Sequence, residues 1–307
     1  MRDRIPFRVR PMLPTLVNQA FKREGWVYEE KYDGIRILTY KQGQKVSLKS
    51  RNDIDRTGSY PKIADAVGEL RATTLLLDGE VVAFDRHRIS RFQLLQQGGF
   101  PVSYAVFDLL YKDGQDLRKK PLSLRRATLE ATVAENEYLL LSRRLARDGL
   151  RAFDRAQERG FEGLVAKDLS SPYVEGRTTE WLKVKTRQED EFVILGYTPP
   201  TGSRQHFGAL LLGAYKMKKL YYVGKVGTGF SHQSLTELAK KFRPLIRKTA
   251  AVVNLPREKK ITHLEPRLVA QIAFEEWTAA EKLRQPVFLG LRDDKKAEEV
   301  ELPKVAR

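Results

Sequence analysis

The 307 residues suffice for one large or two medium domains, and at 41% hydrophobic they can bury a core. Lysine and arginine total 56 against 39 acids, a formal charge of +17, and a field of that size attracts polyanions, nucleic acid first, although a merely basic enzyme would carry the same charge. The absence of cysteine excludes disulfides, thiolate metal sites and cysteine nucleophiles. His87, His206, His232 and His263 show no metal-ligand spacing and read as structural or surface residues. No stretch approaches the ~20 apolar residues of a membrane span, and the first residues lack the apolar core of a signal peptide. The composition therefore suggests a cytoplasmic, nucleoid-associated protein.

In chain order, residues 1–25 are basic and punctuated by Pro6, Pro11 and Pro14, with a short helix expected over 16–23. Strands are predicted over 26–30, 35–41 and 45–50, with a hairpin turn at Gln42-Gly43. Residues 60–70 read as a helix with proline in its first turn. Asp78-Gly79 reads as a turn between strands over 74–77 and 80–84. A short helix over 89–97 closes at Gly98-Gly99. The alternating run 102–110 is a strand, Lys112-Asp113-Gly114 a turn, 122–136 a helix, 138–142 a strand, and 150–159 a helix capped by Gly160. Strands over 163–167 and 181–185 flank a loop holding Pro172, Gly176 and Arg177. This order is not a repeated βαβ and suits an α+β domain of antiparallel sheets with flanking helices. The polar stretch 186–190 marks a boundary, which gives domains over 1–187 and 188–307. Beyond it, strands over 191–197, 209–215, 220–226 and 268–277, a last apolar piece at 287–289 and one helix over 233–242 suit a small closed barrel. The OB-fold is the natural candidate, and an SH3-like barrel fits nearly as well.

The chemistry centres on Lys31-Tyr32-Asp33-Gly34-Ile35-Arg36, a lysine at a bend between two strands. Burial and neighbouring cations can make such a lysine an amine nucleophile, although the same pattern also fits an ordinary charged hairpin. Lys-x-Asp-Gly with Arg two positions later resembles the nucleotidyl-transfer motif of ATP-dependent DNA ligases, RNA ligases and mRNA capping enzymes, which implies a lysine that attacks a nucleotide and needs a stacked base, an acceptor for the ribose, cations for the phosphates and carboxylates for a divalent metal. Arg51, at a strand end, supplies a guanidinium; Glu80, after the Asp78-Gly79 turn, and Glu162, ahead of an apolar strand, supply carboxylates; Phe107 can stack a base. In Trp181-Leu182-Lys183-Val184-Lys185 the alternation puts Lys183 and Lys185 on one face, which is costly unless they meet an anion. Singly, each has a bland reading as a core, turn or edge residue.

Taken in order, these elements resemble the successive motifs of the ATP-dependent polynucleotide ligases: Lys31-Tyr32-Asp33-Gly34-Ile35-Arg36, Ser50-Arg51, Leu77-Asp78-Gly79-Glu80, Phe107-Asp108-Leu109-Leu110, Glu162-Gly163-Leu164-Val165-Ala166-Lys167 and Trp181-Leu182-Lys183-Val184-Lys185. Further along, Gly196-Tyr197-Thr198-Pro199-Pro200, the run 207–213, the run 223–230 and Phe288-Leu289-Gly290-Leu291-Arg292-Asp293-Asp294-Lys295 look like the OB domain of the ligase module of bacterial ligase D and its stand-alone relatives. The resemblance spans roughly residues 10–302 and favours a DNA ligase over a capping enzyme. It implies a nucleotidyltransferase (adenylation) domain of antiparallel sheets with flanking helices, followed by an OB-fold β-barrel.

The resemblance further implies that ATP leaves AMP covalently on Lys31, the catalytic nucleophile, and that Glu29 reads the adenine amino group, partly with its backbone. Arg36 and Arg51 hold ribose or phosphates, and Phe107 stacks on adenine. Glu80 takes the ribose hydroxyl or, with Glu162, a magnesium or manganese ion. Arg177, Lys183 and Lys185 engage the α-phosphate or triphosphate, and Arg292 and Lys295 orient the departing pyrophosphate. The implied partner is nicked duplex DNA, bound by a monomer. The 307 residues leave no room for the polymerase and end-processing domains of ligase D or for the N-terminal DNA-binding domain of large eukaryotic ligases. The resemblance is thus to a stand-alone module or a fragment, with encirclement of the duplex partial or completed by a partner such as Ku. An RNA ligase or GTP-using capping enzyme shares the chemistry, and a catalytically dead basic binding module is the rival from another class.

Overall fold

The computed structural model describes residues 5–6, 8–186, 188–202, 205–249, 252–255 and 260–302. Residues 1–4 of the basic N-terminus, and Arg187 in the expected boundary stretch, lie outside them. The chain divides into two compact units, Met1–Arg187 and Gln188–Arg307.

The first unit contains strands β1 (Met12–Leu16), β2 (Trp26–Glu30), β3 (Ile35–Gln42) and β4 (Lys45–Ser50), helix α1 (Pro61–Gly68), β5 (Thr74–Ala83), α2 (Phe92–Gln97), β6 (Val102–Lys112) and β7 (Gln115–Asp116). It continues through α3 (Leu122–Thr132), β8 (Leu139–Leu141), β9 (Arg144–Ala146), α4 (Gly149–Arg159), β10 (Gly163–Asp168) and β11 (Gly176–Lys185). The strands form two sheets, β1-β11-β10-β2-β9 and β4-β3-β5-β6-β7, with β8 on β6. Every ladder is antiparallel except β1 on β11 and β8 on β6.

Side-chain alternation along these strands gives each sheet an inner and an outer apolar face. The outer face of the second sheet packs under α1, α2 and α3 through Ile63, Val67, Phe92 and Leu129. The outer face of the first packs under α4 through Ala152 and Ala156. Between the sheets lies a separate layer in which Met12, Leu38, Leu76, Phe107 and Trp181 meet. Both faces of each sheet are therefore covered, which explains the apolar density of β5 and β6.

Three local expectations are corrected. No helix forms over 16–23: Pro11 and Pro14 favour extended chain, Met12 fills the inter-sheet layer, and β1 pairs with the edge of β11 up to Leu16 opposite Lys183. Sheet completion overrides the weak local helical pattern. Asp78-Gly79 is not a turn and Glu80 does not begin a strand, since both sit inside the continuous β5. The Asp78 charge is neutralised by Arg36, and Gly79 is there because a Cβ would lie 2.5 Å from the Tyr104 ring. The helix expected over 122–136 stops at Thr132, because the Asn136 side chain accepts from the Tyr138 and Leu139 amides at 2.8 Å and bends the chain towards β8.

The second unit contains β12 (Glu189–Tyr197), β13 (Leu210–Lys216), β14 (Lys219–Val226), α5 (His232–Phe242), β15 (Ile246–Arg247), β16 (Thr262–Leu264), β17 (Val269–Ala273) and β18 (Val287–Leu291). β17 is shorter than the strand expected over 268–277, and Trp277 instead bridges to Leu283. Pairing runs β14-β13-β12-β17-β18. The two ends meet at a single bridge, Thr228 to Val287, rather than at a ladder. The ring and α5 enclose one core, including Leu212, Val223, Leu235, Leu238, Phe242 and Ile272. This is the OB-type arrangement with a narrow seam.

At the crossover from β2 to β3, a Cβ on Gly34 would lie 2.2 Å from the Val81 carbonyl oxygen. Gly34→Ala should therefore cost about 1–3 kcal/mol through forced backbone displacement. Urea unfolding checks this, and an unchanged midpoint would show that the close approach is not required.

Candidate active site

Lys31 follows directly on β2 and keeps its backbone in register with the first sheet, its N–H donating to the Gly163 carbonyl at 3.0 Å. The next three residues cross to the second sheet under tight local control. The Tyr32 hydroxyl accepts from the Arg143 amide at 3.1 Å. The Asp33 amide donates to Ser90 Oγ at 3.0 Å, and its carboxylate accepts from the Phe92 amide at 3.1 Å, at the start of α2. Lys31 thus stands at a fixed bend, with its Nζ 2.5 Å from Glu162 Oε1 and the two side chains only 19% and 10% exposed. Glu162 is itself held by its backbone, its carbonyl accepting from Thr186 N at 3.0 Å.

Strand register dictates what surrounds this pair. Across β2, β10 and β11, Glu29 lies opposite Val165, and Val165 opposite Lys183. Lys167 lies opposite Trp181, and Gly163 opposite Lys185. Directly opposed residues share a face, so Glu29, Lys167, Trp181, Lys183 and Lys185 all lie on the side that carries Trp181 into the inter-sheet layer. From the other sheet, Arg36 and Glu80 are opposed on β3 and β5. The Phe107 ring on β6 has the Arg36 guanidinium 4.3 Å and the Lys167 ammonium 4.4 Å from its centroid. Trp181 meets Phe107 edge-on at 6.0 Å. The result is an aromatic pair with two cations against it.

The charges are paired with few spare donors. Arg36 forms a fork on Asp78 at 2.6 and 2.7 Å, and Asp78 also accepts from the Tyr173 hydroxyl at 2.7 Å. A second Arg36 contact, from Nη2 to the Met12 carbonyl at 3.2 Å, leaves Nη1 outside these bonds. Glu29 is 1% exposed, and its carboxylate accepts from Lys167 at 2.7 Å, from Ser142 at 2.8 Å and from Arg126. Burial alone would raise the Glu29 carboxyl, but Lys167 and Arg126 outweigh it and hold the group below its ordinary range, fully ionised. Burial pulls the Lys167 ammonium down, against the support of Glu29.

The first unit therefore pairs Lys31 with Glu162, brings Arg36 and, through Lys167, Glu29 to the Phe107 ring, and places Glu80, Lys183 and Lys185 half-buried on the two sheets. Arg51 lies half-buried in the turn after β4. Arg177 is exposed near the start of β11, donating to the Pro14 carbonyl at 3.0 Å. Arg292 and Lys295 belong to the second unit. There Arg292 is buried and forked onto Asp294 at 2.8 and 2.9 Å with Gln271 at 3.1 Å, and Lys295 lies 3.4 Å from Glu191. Sequence reasoning missed Arg126, Ser142 and the role of Lys167. The available signal was the helical stripe Leu122, Arg125, Arg126, Leu129, Val133, in which two arginines occupy core positions.

Comparison with known proteins places this architecture. The family description "ATP dependent DNA ligase domain" matches residues 11–185, and "ATP dependent DNA ligase C terminal region" matches 203–295. The chain belongs to the ATP-dependent DNA ligase family. It is 37% identical over 309 residues to the multifunctional non-homologous end joining protein LigD of Pseudomonas aeruginosa, covering 96% of this chain and 37% of that protein. It is 34% identical over 329 residues to a DNA ligase of Thermococcus fumicolans, covering 95% of this chain and 57% of that one. Across the LigD relatives the chain spans only 37–39% of their length. Among solved structures, mycobacterial DNA ligase D complexed with ATP and MES aligns at a TM-score of 0.71 with 34% identity, covering 97% of this chain and all of that one. The ligase domain of M. tuberculosis LigD aligns at 0.56 with 35% identity.

Glu30, next to the lysine, has no hydrogen bond on either carboxylate oxygen and is 2% exposed. Its counter-ion Arg143, 3.1 Å away, is 42% exposed, so solvent screens it. Burial therefore wins and pushes the Glu30 carboxyl up to about 7. The folded chain then keeps a proton that the unfolded chain releases near 4.5, so this group makes stability fall as pH rises from about 4.5 to about 7 and level off above, by about 3 kcal/mol. Glu30→Gln should match the wild type at about pH 4.5 and unfold at a higher temperature at about pH 8. Thermal unfolding at both pH values reads this directly, and a variant no more stable at the higher pH refutes it.

Proposed function

We propose that this chain is an ATP-dependent DNA ligase that seals a 3′-hydroxyl to a 5′-phosphate at a nick, through lysyl-AMP on Lys31 and then adenylylated DNA, in DNA repair or end joining. The observation that carries the reading is the half-buried Lys31–Glu162 pair at 2.5 Å, in a chain of this family. In the first step the Lys31 amine attacks the α-phosphorus of ATP and the bond to pyrophosphate breaks. Attack requires a free amine, and Glu162 is the acceptor already within reach of the Nζ proton. In the second step the 5′-phosphate displaces Lys31 from AMP. In the third the 3′-hydroxyl displaces AMP and closes the strand. Each is an in-line phosphoryl transfer that depends on positioning and charge neutralisation.

The units take the roles of nucleotidyltransferase (adenylation) domain, Met1–Arg187, and OB-fold domain, Gln188–Arg307. Phe107 stacks the adenine, which Glu29 reads at its amino group. Arg36, through its remaining nitrogen, and Arg51 hold ribose or phosphate, Glu80 takes the ribose hydroxyl, and Arg177, Lys183 and Lys185 neutralise the phosphates. Arg292 and Lys295 orient pyrophosphate once Arg292 exchanges Asp294 for the ligand.

A divalent ion fits as well. Glu162 Oε2 is buried with no hydrogen-bond partner, which suits a cation. Among the described residues no group of three acids or histidines forms a metal cage, which is the pattern expected of magnesium held by one or two carboxylates and the substrate's phosphates. Glu162 and Glu80 would hold that ion, which supplies charge neutralisation on the phosphate oxygens. Among the described residues no helix is long and apolar enough to cross a membrane, and the charge of +17 suits life on nucleoid DNA as a monomer. A Ku-type partner rests on the family resemblance alone.

Incubation with α-labelled ATP and magnesium should give an acid-stable label on the protein, with none on Lys31→Ala and none from GTP. A nicked-duplex chase should then transfer the label and seal the strand. Label from GTP would point to capping chemistry, and no label from pyrophosphate-stripped protein would remove the ligase mechanism. Glu162→Ala should slow label formation by about 100-fold or more, the scale of a single electrostatic contact in phosphoryl or acyl transfer. Binding to nicked duplex should weaken steeply with salt and show little sequence preference, since phosphate contacts carry it. A flat salt titration would contradict that.

A further inference from the structure

Helix α3 presents two adjacent arginines to the core, and they have different work. Arg125 forks onto Asp108 at 2.8 Å and donates to the Lys120 and Ser171 carbonyls at 2.7 and 2.8 Å, all of it scaffold. Arg126 reaches Glu29, two residues before the nucleophile. We infer that Arg126 is a positioning residue for base selection, acting on the nucleotide through Glu29; this rests on the nucleotidyl-transfer reading above.

A carboxylate offers about four acceptor positions, two on each oxygen. On Glu29, Oε2 already accepts from Lys167 at 2.7 Å and Ser142 Oγ at 2.8 Å and is full. Oε1 accepts from Arg126 and keeps one position. The guanidinium is planar and rigid, and it is anchored at two further points: Nη2 on the Ser142 carbonyl at 2.6 Å and Nε on Glu130 at 3.0 Å. Arg126, Glu29 and Ser142 thus close a ring of hydrogen bonds, and the guanidinium sets the direction in which the last acceptor position of Glu29 points. Lys167, bonded to the same carboxylate, lies 4.4 Å from the Phe107 ring centroid, which ties the carboxylate to the platform where a base would stack.

A fully ionised carboxylate with one acceptor position selects for an N–H donor. The 6-amino group of adenine supplies one, whereas the 6-oxo group of guanine presents an acceptor and is repelled. A residue serving only the fold would affect all nucleotides alike. Arg126 should affect only those carrying the 6-amino group.

The test compares formation of the Lys31 adduct, measured by intact-protein mass, from ATP and from purine riboside triphosphate, which lacks the 6-amino group. The wild type should prefer ATP. Arg126→Gln should lower the specificity constant for ATP roughly ten- to a hundredfold, the loss expected for a hydrogen bond to a charged group, and change the analogue by no more than about twofold. Arg126→Lys, keeping the charge without the fork, should recover part of the preference. Should Arg126→Gln fail to fold, Ser142→Ala removes another donor of the same ring and should show the same selective loss at smaller scale. Equal loss on both triphosphates, in whichever variant folds, makes the ring mere scaffold and overturns the inference. A wild type that forms the adduct with both triphosphates equally well overturns it too, while leaving nucleotidyl transfer standing. A wild type that forms no adduct removes the transfer reading and the inference together.

Discussion

The first unit depends on how the chain leaves one sheet and enters the other within Tyr32-Asp33-Gly34. Three hydrogen bonds to distant segments hold that crossing: Ser90 Oγ accepts from the Asp33 amide, the Phe92 amide donates to the Asp33 carboxylate, and the Arg143 amide donates to the Tyr32 hydroxyl. Gly34 lets β3 approach β5 more closely than any side chain would permit. Lys31 is therefore placed by backbone geometry. Its ammonium meets Glu162 because Glu162 immediately precedes β10, the strand onto which the Lys31 amide is bonded. Asp33 and Gly34, read first as part of a chemical motif, fix the bend.

Around that crossing the two sheets face each other across a layer that is apolar and charged at once. A buried ion is tolerable only when paired and hydrogen-bonded. Arg36 with Asp78, Arg125 with Asp108, and Glu29 with Lys167 and Arg126 meet that condition. Each pair links different elements: β3 to β5, β6 to α3, and β2 to both β10 and α3. Breaking one would leave its partner charge stranded, so the pairs also specify which strands lie side by side. Glu30 differs, a buried acid whose counter-ion is solvated, and its carboxyl rises accordingly.

The second unit repeats the theme on a smaller scale. Its ring closes through a single bridge, and its strength lies instead in a core shared by all the strands of the ring and α5. Arg292 is sequestered by Asp294 and Gln271, and Gln271 in turn donates to Glu189 at 3.3 Å, at the first residue of β12. The basic motif at the end of this unit is thus wired to the start of its first strand.

Much of this protein was legible in its sequence. Alternation placed β2, β4, β6, β13 and β14 within a residue or two, and Gly160, in the left-handed conformation, ended α4 as expected. Motif order singled out Lys31, Glu162 and Phe107, and the structure sets Lys31 against Glu162 and brings Arg36 and Lys167 to the Phe107 ring. A strand's period of two is visible in one dimension. Contact across the inter-sheet layer is not. Met12, drawn into an edge strand, Asp78, neutralised inside β5 rather than exposed in a turn, and Arg126, reaching Glu29 from a helix 97 residues on, are all decided by partners distant in the chain. Local propensity cannot register the free energy of pairing a buried charge, since that energy exists only once the partner has been brought alongside.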